Sequence, residues 1–208
     1  ITIIDAALAT IAVNPISASF AANVPAGINI TNTLNALKAR YSLYASLYPQ
    51  ALAAAQLVPL SSKSTFNFDA QLSLNPVFEI ATATNNVVQP TGASLGLIPA
   101  FVPAASDNRV SLYTTGAPLY RLDSFYNAAN TAIPLYLPGE MTLTIAECYA
   151  RANDSTTSKT FLNAVITKTA AADVFGVGAN QPAINSFGSY AALLDEIYSQ
   201  RCIEMYSS

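Results

Sequence analysis

The sequence contains no histidine and no tryptophan, and only two cysteines and two methionines in 208 residues. Without histidine, the Ser–His and Cys–His pairs that activate many enzymatic nucleophiles do not exist here. Imidazole-ligated zinc is excluded for the same reason, and Cys148 with Cys202 cannot alone build a four-thiolate site. Charge is scarce too: 9 Lys and Arg against 12 Asp and Glu, or 10% of the chain, where an average soluble domain carries about 25%. The net charge is −3 and no basic segment stands out, which argues against nucleic acid, whose phosphates demand clustered Lys and Arg. Long apolar runs are also missing. Hydrophobic residues make up 52% of the chain, but Ser, Thr, Asn and Pro interrupt them well before the roughly 20 residues of a spanning helix.

What is present is an Ala/Ser/Thr/Asn-rich chain long enough for one large domain or two small ones. It opens "ITIIDAALAT", with no Met, no basic start and no small-residue cleavage site. The expectation is an excised piece of a longer protein, with any export signal upstream or never present. The two cysteines leave two readings open: a disulfide in an exported protein, or small buried apolar residues within helical patterns.

Residues 3–12 read as a short helix with Ile4, Leu8 and Ile11 on one face. After a loop punctuated by Pro15, Pro25 and Gly27, a helix starts near Thr31, its expected N-cap, and carries Leu34, Leu37, Tyr41 and Tyr44 down one side. Pro49 fits the first turn of a second helix, "PQALAAAQLV". Two helices with almost no connector predict an antiparallel hairpin. The stripe Tyr41, Tyr44 and Tyr48 is expected to pack in its seam, against the alanines of 51–55.

From about 61 to 138 the character changes. No charged residue lies between Glu79 and Asp107, and prolines recur at 76, 90, 99 and 103. This reads as long structured loop, with "NPVFEIATA" and "NRVSLYTT" as short β-type fragments. A loop of that length in a compact domain is commonly functional. Helical patterning resumes in "EMTLTIAECYARAN", in "SKTFLNAVITKTAAA", and in "YAALLDEIYSQRCIEMY", which Ser189 is placed to cap and whose Leu193, Leu194, Ile197 and Ile203 form its buried side.

Four segments together resemble the SusD/RagB family of outer-membrane nutrient-binding lipoproteins. "LNALKARYSLYASLYPQALAAAQLV" is similar to that family's helix pair. "SDNRVSLYTT" is similar to its "D-P-R-L-x-x-Y" element, with Asn108 where proline is usual. "IPLYLPGEMTLTIAECYARAN" resembles "I-P-x-I-R-Y-A-E-V-x-L-x-x-A-E-A", with Glu140 and Glu147 at the glutamate positions and Pro138-Gly139 replacing Tyr-Ala. "IYSQRCIEMYSS" resembles "I-x-x-E-R-x-x-E-L-x-x-E-G", with Arg201 and Glu204 matching and Gln200 departing. The order of the four is the family's, and it corresponds to the middle and C-terminal portion of a member.

The resemblance implies a mainly α fold, with TPR-like helical hairpins scaffolding long irregular loops and a few short β-strands. It implies a single helical domain over 1–208, the N-terminal part of the family fold missing, with a loop-rich insertion at about 61–138. It further implies a non-catalytic protein on the outer face of the outer membrane, held by a lipid anchor upstream of Ile1. Such a protein captures oligosaccharides or other nutrients for a TonB-dependent transporter, needing no cofactor or metal. The alternatives are a helical-repeat scaffold for a protein partner, or a binder of a non-sugar nutrient such as peptides.

Sugar capture uses aromatic faces and nearby amides, so Tyr113, Tyr120, Tyr126, Asn127 and Asn130 are the expected ligand contacts. Asp107 and Arg109 are expected to fix a turn through local hydrogen bonds. Glu140 and Glu147, seven apart, share roughly one helix face; paired carboxylates hydrolyse glycosides, but a structural role fits them better. Arg201 and Glu204, three apart, are expected as a pair on the helix surface or a bond between packed helices.

Overall fold

The computed structural model describes residues 1–83, 90, 92–116 and 121–206. Eight α-helices appear in it: α1 (Thr2–Val13), α2 (Ala18–Ala21), α3 (Ile30–Tyr44), α4 (Tyr48–Gln56), α5 (Asn108–Tyr113), α6 (Pro138–Arg151), α7 (Ser155–Ile166) and α8 (Tyr190–Glu204). The described strands are β1 (Thr65–Phe66) and β2 (Ile133–Pro134), paired antiparallel with Thr65 opposite Pro134. The molecule is therefore mainly helical, with a long irregular layer between α4 and α6, as the sequence leads one to expect.

Side-chain caps start α3, α7 and α8. Asn29 accepts from the Asn32 N–H at 3.0 Å, Asp154 from Thr157 and Ser189 from Ala192, each satisfying a first-turn donor left without an intrahelical partner. The α3 cap is thus Asn29, two residues before the expected Thr31. Pro49 stands in the first turn of α4, where its missing N–H leaves no bond unmade.

α6 is the hub. It packs on α3, α4, α7 and α8, and every residue from Pro138 to Ala146 is buried. One face shares a cluster with Ala36 and Ala39 of α3 and Ala54 and Ala55 of α4, through Met141 and Ile145. The opposite face carries Leu143, Ala146 and Ala150 against Leu162, Val165 and Ile166 of α7 and Leu193 and Ile197 of α8.

The α3–α4 hairpin forms, but its seam is alanine on alanine. Tyr41 is 48% exposed and Tyr44 is 65% exposed. Both tyrosines point away from the seam that the sequence assigns them to. Tyr41 lies two positions, about 200° around the helix, from Ala39, and the close helix approach that alanine allows leaves no room for a ring. Tyr48 alone packs near it, beside Leu43, Ala51 and Cys148, with the Arg151 guanidinium 5.5 Å from its ring centre.

The two β-type fragments are helical over most of their length, with Thr114 alone pairing antiparallel with Leu122. Residues 108–113 form α5, because Asp107 Oδ1 accepts the Arg109 N–H at 2.9 Å and starts a helical turn. Phe78–Ala83 is a π-helical turn. The loop layer is stapled to α3 and to itself by buried polar side chains. Ser64 accepts from the Asn29 N–H (3.0 Å) and bonds the Thr33 hydroxyl (2.6 Å). The Asn75 amide donates to the carbonyls of Phe125 and Thr131, both at 2.8 Å, while its oxygen accepts from Val77 and Phe78 N–H. Cys148 is buried, Cys202 is partly exposed, and both are free thiols.

Candidate functional site

The charged residues of the four motif segments find one another across the fold. Arg40 of α3 grips Glu140 of α6 with both nitrogens of its fork, Nε to Oε1 at 2.5 Å and Nη2 to Oε2 at 2.7 Å, and also donates to the Leu135 carbonyl. Glu147 of α6 takes Arg201 of α8 at 2.7 Å and Arg151 at 3.1 Å. Both carboxylates are thereby committed to guanidinium groups. Arg201 and Glu204 are not partners of each other: Arg201 reaches across to α6, and Glu204 turns inward.

Beneath the loop layer lies a buried ionic cluster. Arg109 is fully buried, with Nε and Nη2 on the two oxygens of Asp107 (3.0 and 2.7 Å), Nη1 on Glu204 Oε2 (3.0 Å) and Nη2 on Gln200 Oε1 (2.6 Å). Lys168 Nζ joins the other oxygen of Glu204 to Asp173, 2.7 Å to each. Burial pulls the Arg109 guanidinium down, but the hydrogen bond to Asp107 and the charges of Glu204 and Asp107 outweigh it and leave its pKa above the usual value. The expected turn at Asp107–Arg109 is present, and it extends into a tie between α5, α8 and the 168–173 segment.

Gly139 explains how α6 accommodates that tie. A Cβ there would collide with Glu204 Oε1, so the carboxylate occupies the space where any other residue would place its side chain.

Of the expected ligand residues, Tyr113 and Tyr126 are both 1% exposed and share one cluster with Phe125, Leu122, Leu137 and Val177. The Tyr113 hydroxyl donates to the Glu204 carbonyl at 2.5 Å. Burial, reinforced by the Glu204 charge, pushes the Tyr113 phenol well above its usual pKa; burial alone lifts Tyr126 to about 12. In this conformation their rings form the floor of the loop layer. Asn127 and Asn130 are exposed. Asn127 donates to Asp123 Oδ1 at 3.2 Å and accepts from the Thr131 hydroxyl at 2.8 Å. Tyr120 lies outside the described residues.

Asp123 connects this turn to an open cleft of about 570 Å³ on the loop face. Its lining includes Ser106, Asn108, Ser111, Thr115 and Asp123. The position of these groups follows from α5. Asn108 and Ser111, three apart, share its outer side, while Arg109 and Tyr113, four apart, share the side that is buried. A cleft lined by hydroxyl, amide and carboxylate groups can exchange hydrogen bonds with a polyhydroxylated ligand. Sequence reasoning missed these residues by reading 108–115 as extended, where Asn108 and Ser111 fall on opposite faces. Helical spacing from the Asp107 cap was the signal that could have found them.

No family model matches the sequence, and no curated protein matches it either. Among solved structures, the fold is similar to the crystal structure of a SusD superfamily protein from Bacteroides fragilis. The TM-score is 0.63 at 21% sequence identity, over 88% of this chain and 47% of that one. The chain thus has a SusD-like fold and spans about half the length of that neighbour.

Proposed function

We propose that this protein captures nutrient oligosaccharides at the cell surface and delivers them to a TonB-dependent outer-membrane transporter, without chemistry on them. The observation that carries this reading is the SusD-like fold across 88% of the chain, together with the motif resemblance that implies the activity. The commitment of Glu140 and Glu147 to arginines supports a binding role over glycoside hydrolysis, which needs one carboxyl free to give up a proton. Among the described residues no helix is long and apolar enough to cross a membrane, and attachment through an upstream lipid anchor is part of the same reading.

The ligand contacts fall to Asn108, Ser111 and Asp123 in the loop-face cleft and to Asn127 and Asn130 beside it, with Tyr120 the aromatic of the set. Tyr113 and Tyr126 hold that surface up from below. The 208 residues form one helical unit with a loop-rich segment at about 61–138, the middle and C-terminal portion of a longer SusD-like protein.

A second reading, a helical-repeat scaffold for a protein partner, is favoured by the exposed Tyr41, Tyr44 and Leu57 on the α3–α4 hairpin. Calorimetric titration with a panel of oligosaccharides separates the two. Saturable binding that falls at least tenfold in Asn108→Ala/Asn127→Ala and is unchanged in Tyr44→Ala supports capture. Failure of every glycan, with co-purification of an outer-membrane barrel lost in Tyr44→Ala, supports the scaffold. Turnover of any glycoside would sink both.

A further inference from the structure

α7 and α8 begin on the same side of the helical stack, and between their first turns lies a second cleft of about 500 Å³, a volume typical of small-ligand sites. It is separate from the loop face and shares no lining residue with the cleft there. Its walls are set by Asn153, Thr156 and Lys159 on one side and Asn185, Phe187 and Tyr190 on the other, over a floor at Leu193.

The walls are held in place without a ligand. Asn163 clamps the 184–187 segment through both ends of its amide, donating to the Ile184 carbonyl (3.0 Å) and accepting the Ile184 N–H (2.8 Å). Phe187 packs onto the α6–α7–α8 core. Asn153 takes the left-handed conformation (φ 63°) that turns the chain from α6 into α7. Tyr190, the first residue of α8, remains 44% exposed. An apolar ring face with a polar hydroxyl is thus presented at the rim rather than buried.

The charge of the cleft has one sign. Lys159 is the only charged residue in the lining, which contains no carboxylate. Its ammonium uses one donor on the Asn185 carbonyl at 2.9 Å and has two more to offer. The nearby Asp154 is turned into its own helix, accepting the Thr157 N–H.

We propose that this cleft is a second saccharide site, selective for a sugar unit that carries an acidic group, such as a uronic acid. The sugar ring stacks on Tyr190, its hydroxyls exchange hydrogen bonds with Asn153, Thr156 and Asn185, and its carboxylate meets the Lys159 ammonium. The assignment rests on this cleft's own chemistry, independently of the loop-face reading.

The test is titration of the full chain with trigalacturonate and with neutral galactotriose, followed by calorimetry and by backbone amide NMR shifts. Saturable trigalacturonate binding is expected, weakening as salt rises, with shifts confined to residues 153–159 and 185–193. Tyr190→Ala and Lys159→Gln, both surface changes whose folding is checked by melting, are each expected to weaken it at least tenfold. Asn108→Ala/Ser111→Ala, in the other cleft, should leave it unchanged. Absence of trigalacturonate binding, galactotriose binding equally well, or indifference to both substitutions overturns the proposal. Loss of glycan binding only in the Asn108/Ser111 variant would overturn it while sparing the loop-face reading.

Discussion

A few residues carry structural roles that composition alone does not reveal, and Gly139 is the clearest. With the Glu204 carboxylate standing where its Cβ would be, Gly139→Ala forces either α6 or the ionic cluster to move. Overpacking costs about 1–3 kcal/mol, and breaking a buried ion pair about 3–5; we expect about 3 kcal/mol by urea denaturation. In a Glu204→Ala background the same change should cost far less, and equal losses in both backgrounds would refute the steric account. Cys148 gives a second prediction. Burial, with a smaller push from the Glu147 charge, raises its thiol pKa to about 11. At pH 8 only about one molecule in a thousand then carries the thiolate, the reactive form. A disulfide reagent should modify the partly exposed Cys202 in the native protein and reach Cys148 only on unfolding. Rapid native modification of both thiols would show that α6 opens locally.

Helices were legible wherever period and punctuation agreed. α4 announces itself by Pro49, α8 by Ser189, and α6 by Pro138, because caps and N-terminal prolines are local chemistry. The side of a helix that becomes a seam is not local. Tyr41 and Tyr44 are as apolar as many core residues, yet Ala36 and Ala39 win the interface because α4 offers alanines that let the backbones approach. Tyr41→Ala and Tyr44→Ala should therefore alter stability by no more than about 0.5 kcal/mol. Ala54→Leu, by contrast, should cost about 1–3 kcal/mol, and thermal melts of the three variants would reverse the assignment if the order were inverted. The loop layer was legible only as a length of low charge and frequent proline. Its organisation depends on Asn75, whose amide bonds join carbonyls at positions 125 and 131, and no periodicity records a contact of that separation. The candidate cleft was lost for a related reason: α5 is six residues long, too short for a helical period to show.

On the scale of the whole molecule, a stack of helices supports an irregular layer, and the join between them is polar at Arg109 and Glu204 and phenolic at Tyr113 and Tyr126. That join has a defined response to alkali. Both phenols are held above the ordinary value of 10 in the folded protein, Tyr126 at about 12. The unfolded chain therefore releases these protons first, and stability must fall as pH rises through that interval. The stabilisation is complete below about pH 10 and is lost progressively toward pH 12. Because there is no tryptophan, absorbance at 295 nm follows the 11 tyrosines without interference. We expect the exposed tyrosines to ionise first, and a late, cooperative phase to coincide with loss of near-ultraviolet dichroism. If the loop layer detaches before the helical stack melts, far-ultraviolet dichroism should outlast that phase, since α3, α4, α6, α7 and α8 keep their alanine and leucine contacts. Tyr126→Phe removes one of the two titrating groups at the join and should move the late phase to higher pH. An unchanged late phase in that variant would place the alkaline transition elsewhere in the molecule and remove the phenols from the account of how the two layers are joined.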